Sequence, residues 1–477
     1  MLVLLWAAPS VLCAQETGAQ PITLGESVVL SGSLRTRVEN WEWFKGDANG
    51  DYTYSGSLGR LGLSQSTRKR EWQVEVAVPL LVGLPRNAIA PGVQGQEGLG
   101  ATYFAANGDR HAAALFVKQA SFRFKEIGGH EKHSITVGRI ELSEGTEVTP
   151  RNATLATLKR DRVAQRLVGN FGFTHVGRSF DGIQWAVNGA KLNITVFGGR
   201  PTRGVFQVDG WGELDINVFY GALTAQQDEV AEWRVFGIGY SDYRDNVLKT
   251  DNRPIGDRRA DAERIDIATF GGHYLQVART SSGPLDFLLW SALQTGRWGT
   301  LAQRAGAFAV EIGWQPRFAA LAPWIRGGYN YGSGDGASND ATHGTFFQLL
   351  PTPRVYARFP FYGMMNSADA FGELRVRPTQ TFSLRGDVHA LRLAKNEDLW
   401  YLGGGAFQAG TFGYTGRPSN GHSPLAILYD ASADLALSPH VSVTGYYSYA
   451  AGKEVIRAIY PAGTNGRLGY LELLVRF

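Results

Sequence analysis

One cysteine, Cys13, occurs in 477 residues. It lies in the opening run MLVLLWAAPSVLCAQ, an apolar stretch ending in small residues that reads as a secretory signal over residues 1–14, cut after Ala14. Removal of that signal leaves a mature chain, 15–477, without a thiol, which excludes disulfides, cysteine nucleophiles and cysteine metal sites. A lipid anchor on Cys13 is disfavoured by the bulky Leu12 before it. Beyond this run no uninterrupted apolar stretch is long enough to make a membrane-spanning helix. That excludes a helical membrane protein but not a barrel, whose apolar residues interleave with polar ones. Charge is also scarce: charged residues make up 19% of the chain and the net charge is +4, far from the balance of a nucleic-acid binder. Catalytic signatures are missing too. There is no G-x-S-x-G elbow and no H-E-x-x-H, and the strings GLGATYF and YLGGGAF lack the Gly-Lys-Ser/Thr of a phosphate loop. No enzyme and no cofactor are expected.

What is present is alternation. Glycine is abundant at 60 residues, aromatics reach 12%, and no long helical period runs through the chain. In the last stretch, GRLGYLELLVRF, Gly469, Leu471, Leu473, Val475 and Phe477 share one side of an extended strand, opposite Tyr470, Glu472 and Arg476. A period of two ending in a terminal aromatic suits a wall with lipid outside and water inside. Hydrocarbon tolerates no open sheet edge, so this strand needs the first one as partner. The candidate is Ser27 to Phe44, where Leu30, Leu34 and Val38 face away from Arg35, Arg37 and Glu39. About eighteen such segments can be counted. Short turns near 66–69, 188–190, 281–284, 315–317, 377–380 and 438–440 alternate with long polar loops near 83–110, 142–177, 242–264, 332–367, 394–424 and 451–466. The fold class is therefore all-β: a transmembrane antiparallel β-barrel of about 18 strands forming one domain over 15–477, with short periplasmic turns and long extracellular loops. Trp41, Trp43, Trp72, Trp233, Trp298 and Tyr449 are candidates for the interfacial girdles or, equally, for the core.

Candidate functional residues are charges on the polar phase: Arg35, Arg37, Arg123, Arg139, Arg326, Arg375, Arg377 and Arg385. Guanidinium groups around a wet bore attract anions and hold carboxylates by paired hydrogen bonds. The same phase carries Glu39, Glu75, Asp215, Asp266, Glu311, Asp387, Asp430 and Asp434, so pairing within the wall is an equal reading. Thr154 to Val168 has helical spacing inside a long loop and either constricts the mouth with Lys159, Arg160, Arg162 and Arg166 or caps it. Asp47, Asn49 and Asp51 have calcium-loop spacing but no following bidentate Glu, which favours a solvated loop. His389, two residues from Asp387, reads as a polar wall residue.

Three segments carry a resemblance: TVGRIELSEG around Arg139, QRLVGNFGFTHVGRSFDG from Gln165 to Gly182, and YNYGSGDGASNDATHGTFFQLLP from Tyr329 to Pro351. There the chain resembles the alginate export family of outer-membrane barrels, from about Ser31 to Phe477. The resemblance implies a monomeric eighteen-stranded barrel in a Gram-negative outer membrane, with an arginine-lined pore for an acidic uronate polymer. It implies that Arg139, Arg166 and Arg178 with Asp181 belong to the pore region. The expected function is passive export or passage of an anionic, alginate-like polysaccharide. A less selective porin for small anions or sugars and a barrel enzyme of lipase or protease type are the alternatives. Expected partners are the anionic polysaccharide or another anionic solute, membrane lipid and lipopolysaccharide, the barrel assembly machinery and periplasmic export components. Nucleic acid is not among them.

Overall fold

A computed structural model describes residues 22–25, 27–317, 321–352 and 358–477. The signal segment and Cys13 lie outside the described residues. Eighteen antiparallel strands form the wall, each with the period of two read from the sequence. The first nine are β1 (Val28–Glu42), β2 (Asp51–Ser66), β3 (Arg70–Val82), β4 (Phe116–Lys125), β5 (His133–Ile140), β6 (Phe180–Asn188), β7 (Leu192–Pro201), β8 (Ile216–Asp228) and β9 (Ala231–Asp242). The rest are β10 (Ile265–Ala278), β11 (Leu285–Trp298), β12 (Leu301–Trp314), β13 (Trp324–Gly332), β14 (Ser367–Val376), β15 (Phe382–Arg392), β16 (Pro424–Ser438), β17 (Val441–Gly452) and β18 (Asn465–Arg476). Each pairs with its neighbours in sequence, and β18 returns to β1 from Ser33↔Arg476 to Glu42↔Arg467. The cylinder is thus closed and has no free edge to pair elsewhere.

Closure uses the terminal aromatic. Gly32 and Phe477 exchange both backbone hydrogen bonds at 3.0 Å. A Cβ on Gly32 would stand 2.3 Å from the Phe477 ring, so the missing side chain is what lets the ring cross the seam. Outside this seam Leu34, Val38, Leu471 and Leu473 are exposed, as a lipid-facing surface requires, while Arg35, Arg37 and Glu39 are buried on the inner face.

The connections at the terminal end are short and most of those at the other end are long, as expected. One breaks the parity. Gly299 and Thr300 alone join β11 to β12 at the long-loop end. Gly299 adopts φ +61°, and Asp261 accepts from the Thr300 amide at 3.2 Å, which lets two residues reverse the chain. The girdle candidates divide. Trp233 is exposed and Trp72 half-buried on the lipid side, but Trp41, Trp43 and Trp298 turn inward and are buried. Trp41 and Trp43 pack with Phe44 and Phe359, and Trp298 packs separately with Phe347 and Phe412, beneath the extracellular loops. No helix among the described residues is long and apolar enough to cross a membrane.

Candidate functional site

The bore is occupied by the chain's own loops. Residues 141–179 leave β5 and fold inward, and the predicted helix forms at Ala153–Leu158. Asn152 starts it by accepting from the Thr154 and Leu155 amides at 3.0 and 3.2 Å. A single π-type turn, Lys159–Val163, continues it. The helical spacing read to Val168 stops there, because Ala164 is extended and Gln165 adopts φ +62°. Leu155, Leu158, Val163, Leu167 and Val168 are all buried. A second inward segment runs beside it: Val168 bridges Leu350, and the Thr352 amide donates to the Gln165 carbonyl at 3.0 Å.

The turn Lys159–Val163 projects charges at opposite signs on the wall. Lys159 meets Glu232 of β9 at 2.7 Å, and Asp161 meets Arg375 of β14 at 2.6 Å. Arg162 grips Glu311 of β12 with Nε and Nη2, both at 2.9 Å. Glu311 also receives Arg166 at 3.3 Å and Arg326 at 2.9 Å, so one buried carboxylate gathers three guanidinium groups. Further up the loop, Glu144 and Glu147 hold Arg234 of β9 at 2.9 and 3.1 Å. Burial drives the Lys159 ammonium below its usual pKa against the attraction of Glu232, while Arg375 and Arg160 hold Asp161 well below the usual carboxylate range despite its burial.

The opposite wall holds the descending part of the loop. Arg35 donates Nη1 to the Gly172 carbonyl at 2.6 Å and Nη2 to the Thr174 carbonyl. Arg37 pairs with Glu472 and Glu39 at 2.6 and 3.0 Å and reaches the Phe173 carbonyl at 3.2 Å, under the rings of Phe173 and Tyr470. Arg385 lies between Glu373 and Asp387 at 2.8 and 2.7 Å, and Arg375 also reaches Glu373 at 2.6 Å. Arg326 contacts Asp286 as well as Glu311. Arg123 lines a lumenal cavity of about 160 Å³ at the terminal end, with Gln73, Gln119, Thr136 and Glu141, and donates to Ser134 Oγ at 3.0 Å. Of the two sequence readings, pairing within the wall describes Arg37, Arg326, Arg375 and Arg385.

Arg178 is different. It is fully buried, its Nη2 donates to the Gly404 carbonyl at 2.5 Å, and its Nε and Nη1 find no acceptor. No carboxylate contacts it among the described residues. Burial lowers its pKa to about 10.

Two expected pore residues are not in the pore. Arg139 and Asp181 make a bidentate pair at 2.7 and 2.6 Å, but they share the outward phase with Val137 and Ile183, which are exposed to lipid. They lie at the extracellular rim, where Arg139 also holds the Gly210 and Trp211 carbonyls at 3.4 and 3.0 Å. The polar phase is a poor guide there, because at the rim headgroups and water replace hydrocarbon and a charge on the outer face is tolerated. Arg377 lies in a short turn. His389 is buried against Asp369 at 3.0 Å rather than paired with Asp387.

The calcium reading gains no donor set. Asn49 Oδ1 accepts from the Asp51 amide at 3.2 Å, the side chains of Asp47, Asn49 and Asp51 are exposed, and no group of three or more His, Cys, Asp or Glu that could hold a metal occurs among the described residues. What the fold does bring to this loop is Glu97, buried, with both carboxylate oxygens unpartnered. Burial pushes its carboxyl up to about 7, Asp47 adding to the shift and Arg417 opposing it. Arg417 is stacked among Trp43, Trp400 and Tyr460, with its carbon 5.0 to 5.6 Å from each ring centre. Neither Glu97 nor Arg417 is legible as a site residue, since Glu97 lies in a loop without periodicity and Arg417 in a five-residue strand, Tyr414–Pro418, too short to show one. Glu232 and Arg234 were findable, because they flank the outward Trp233 and Val235 in a regular alternation.

The family model for alginate export matches residues 113–458, well over half the chain and including both inward segments. The chain belongs to the alginate export family. No curated protein matches it by sequence. This alginate export family member is similar in structure to OccAB1 of Acinetobacter baumannii, at 10% identity and a TM-score of 0.57 over 97% of this chain and 99% of that one. It is also similar to the outer membrane protein opdK of Pseudomonas aeruginosa (9%, 0.56, 95% and 99%) and to OccK5 (OpdH) of the same organism (9%, 0.55, 95% and 98%). At such identities the likeness concerns the fold. Family and fold together make the chain an outer-membrane barrel and a channel rather than an enzyme.

Proposed function

We propose that the barrel passes an anionic polysaccharide of the uronate type passively across the outer membrane, and that the arrangement described above is its closed state. Arg178 carries the reading. A guanidinium excluded from water, with two unpartnered nitrogens and no carboxylate beside it, is costly unless an anion joins it in another state. It stands at the end of the inward loop, donating to Gly404 of an extracellular loop, so a carboxylated chain threading between the two would meet it. Arg35, which now donates to two loop carbonyls, would be released when the loop moves and could take the next carboxylate. Binding spread over separated arginines leaves each sugar weakly held and able to leave. The family match supports the same cargo class, and membrane lipid, lipopolysaccharide, barrel assembly machinery and periplasmic export components remain the partners this reading requires.

The test is efflux of labelled uronate oligomers and of neutral oligomers of equal length from vesicles containing the refolded chain. The reading requires faster uronate release, reduced in Arg178→Ala. Equal release of both would favour the unselective porin.

A further inference from the structure

The wall of the barrel is interrupted on one strand. β12 pairs with β13 only from Ala307↔Gly332 to Trp314↔Ile325; nearer the extracellular end, Ala302 and Gln303 pair instead, in parallel, with Thr342 and His343. Arg304, Ala305 and Gly306 fall between these two ladders. Ser333 closes the backbone there, its amide donating to the Gly306 carbonyl at 2.9 Å and its Oγ accepting from the Gly306 amide at 3.0 Å.

Side chains do not fill the gap. A cleft of about 570 Å³ opens there, bounded by Phe270, Leu293, Thr295, Ala305 and Gly306, with Arg304 at its upper edge. Phe270 and Leu293 are 60% and 69% exposed, among the most exposed large apolar side chains of the barrel. Gly306 keeps the cleft open, since a Cβ there would stand 3.1 Å from Leu293 Cδ2. Arg304 shares the outward phase with Phe308 and is exposed, with no ion pair among the described residues. It stands opposite Thr295, two residues and about 7 Å along the strand from the Gly306↔Leu293 pair. At the same rim Arg297 faces outward beside Asp266 at 3.0 Å. From the midplane outward the surface therefore reads as apolar cleft, then guanidinium.

That order matches a lipid whose acyl chain lies in the hydrocarbon and whose anionic group lies at the interface. The cleft is near the extracellular end of β12, so it meets the outer leaflet. We propose that it binds a phosphorylated, acylated glycolipid of that leaflet, the lipid A part of lipopolysaccharide. An acyl chain lies between Phe270 and Leu293, and a phosphate accepts hydrogen bonds from Arg304, whose planar fork suits phosphate oxygens. The site is on the lipid side of the wall and does not depend on what passes through the bore.

The experiment is to purify the full chain from Gram-negative outer membranes in mild detergent and to measure, by mass spectrometry, hydroxylated fatty acid and phosphate retained per barrel. About one lipid A per wild-type barrel is expected. Gly306→Leu, which fills the cleft, and Arg304→Glu, which reverses its charge, should each lower retention about tenfold, a loss near 1.4 kcal/mol. Retention of glycerophospholipid instead, no retained lipid, a dimer sealed at this face, or full retention by both variants would overturn the proposal. Heat-modifiable electrophoretic mobility reports whether each variant is folded. For a variant that fails it, competition of purified lipid A against phospholipid on refolded wild-type protein decides the same question.

Discussion

Arg162 and Glu311 meet through two parallel hydrogen bonds of 2.9 Å, both side chains shut off from water, and this pair fastens the inward helix to the barrel wall. Removing one partner of a buried pair costs about 3–5 kcal/mol, because the other charge is left uncompensated. Here Glu311 serves Arg162, Arg166 and Arg326 together. Glu311→Gln should therefore free the inward loop while the wall ladders stay intact. Single-channel recording is expected to show longer and larger openings than wild type, with unchanged heat-modifiable mobility. A channel that gates as before would place the closure elsewhere.

Arg35 holds the loop by neutral acceptors, the Gly172 and Thr174 carbonyls. A hydrogen bond to a charged donor contributes about 1.5–3 kcal/mol. Arg35→Ala is expected to loosen this segment by that order, seen as faster amide exchange over residues 170–176, and to weaken block by uronate oligomers. Faster exchange with undiminished block would separate the anchor from the cargo site.

Glu97 gives the extracellular layer a pH dependence. Its carboxyl titrates near 7 rather than at its usual 4.5, because burial disfavours the charged form. Between those values the closed layer binds more protons than the opened one, so closure is strongest below about pH 4 and loses stability as pH rises through 7. Openings should be rarer at pH 5 than at pH 8. Glu97→Gln should behave at pH 8 as wild type does at pH 5. A gating curve flat from pH 5 to 8 in the wild type contradicts this.

Arg139 supplies the matching control. Its pair with Asp181 faces outward at the rim, so Arg139→Ala should lower stability by only about 1 kcal/mol and leave ion selectivity unchanged. Arg178→Ala should do the reverse, weakening oligouronate block about tenfold with stability unchanged or raised, since an unpaired buried charge is removed. Selectivity lost in the Arg139 variant would mean that the rim takes part in passage.

The wall was readable from residues because lipid and water sort side chains with a period of two. Leu471, Leu473 and Val475 against Tyr470 and Glu472 suffice to set the seam with Leu34 and Val38, and Phe477 marks its end. The phase rule fails where hydrocarbon stops, which is why alternation alone places Arg139 on the inner face although its pair with Asp181 faces outward. It also says nothing about pairing across the bore. The bond from Arg162 to Glu311 joins residues 149 positions apart, and no local pattern encodes it. The turn Gly299 and Thr300 was missed for a related reason: its support comes from Asp261, which reaches it only in the folded barrel.

The most direct measurement is planar-bilayer conductance of the refolded chain in a salt gradient, with uronate oligomers added to one side. The account predicts a reversal potential of the sign set by anion preference and concentration-dependent block by the oligomers, reduced in Arg178→Ala. Cation preference with no block at any concentration would contradict it.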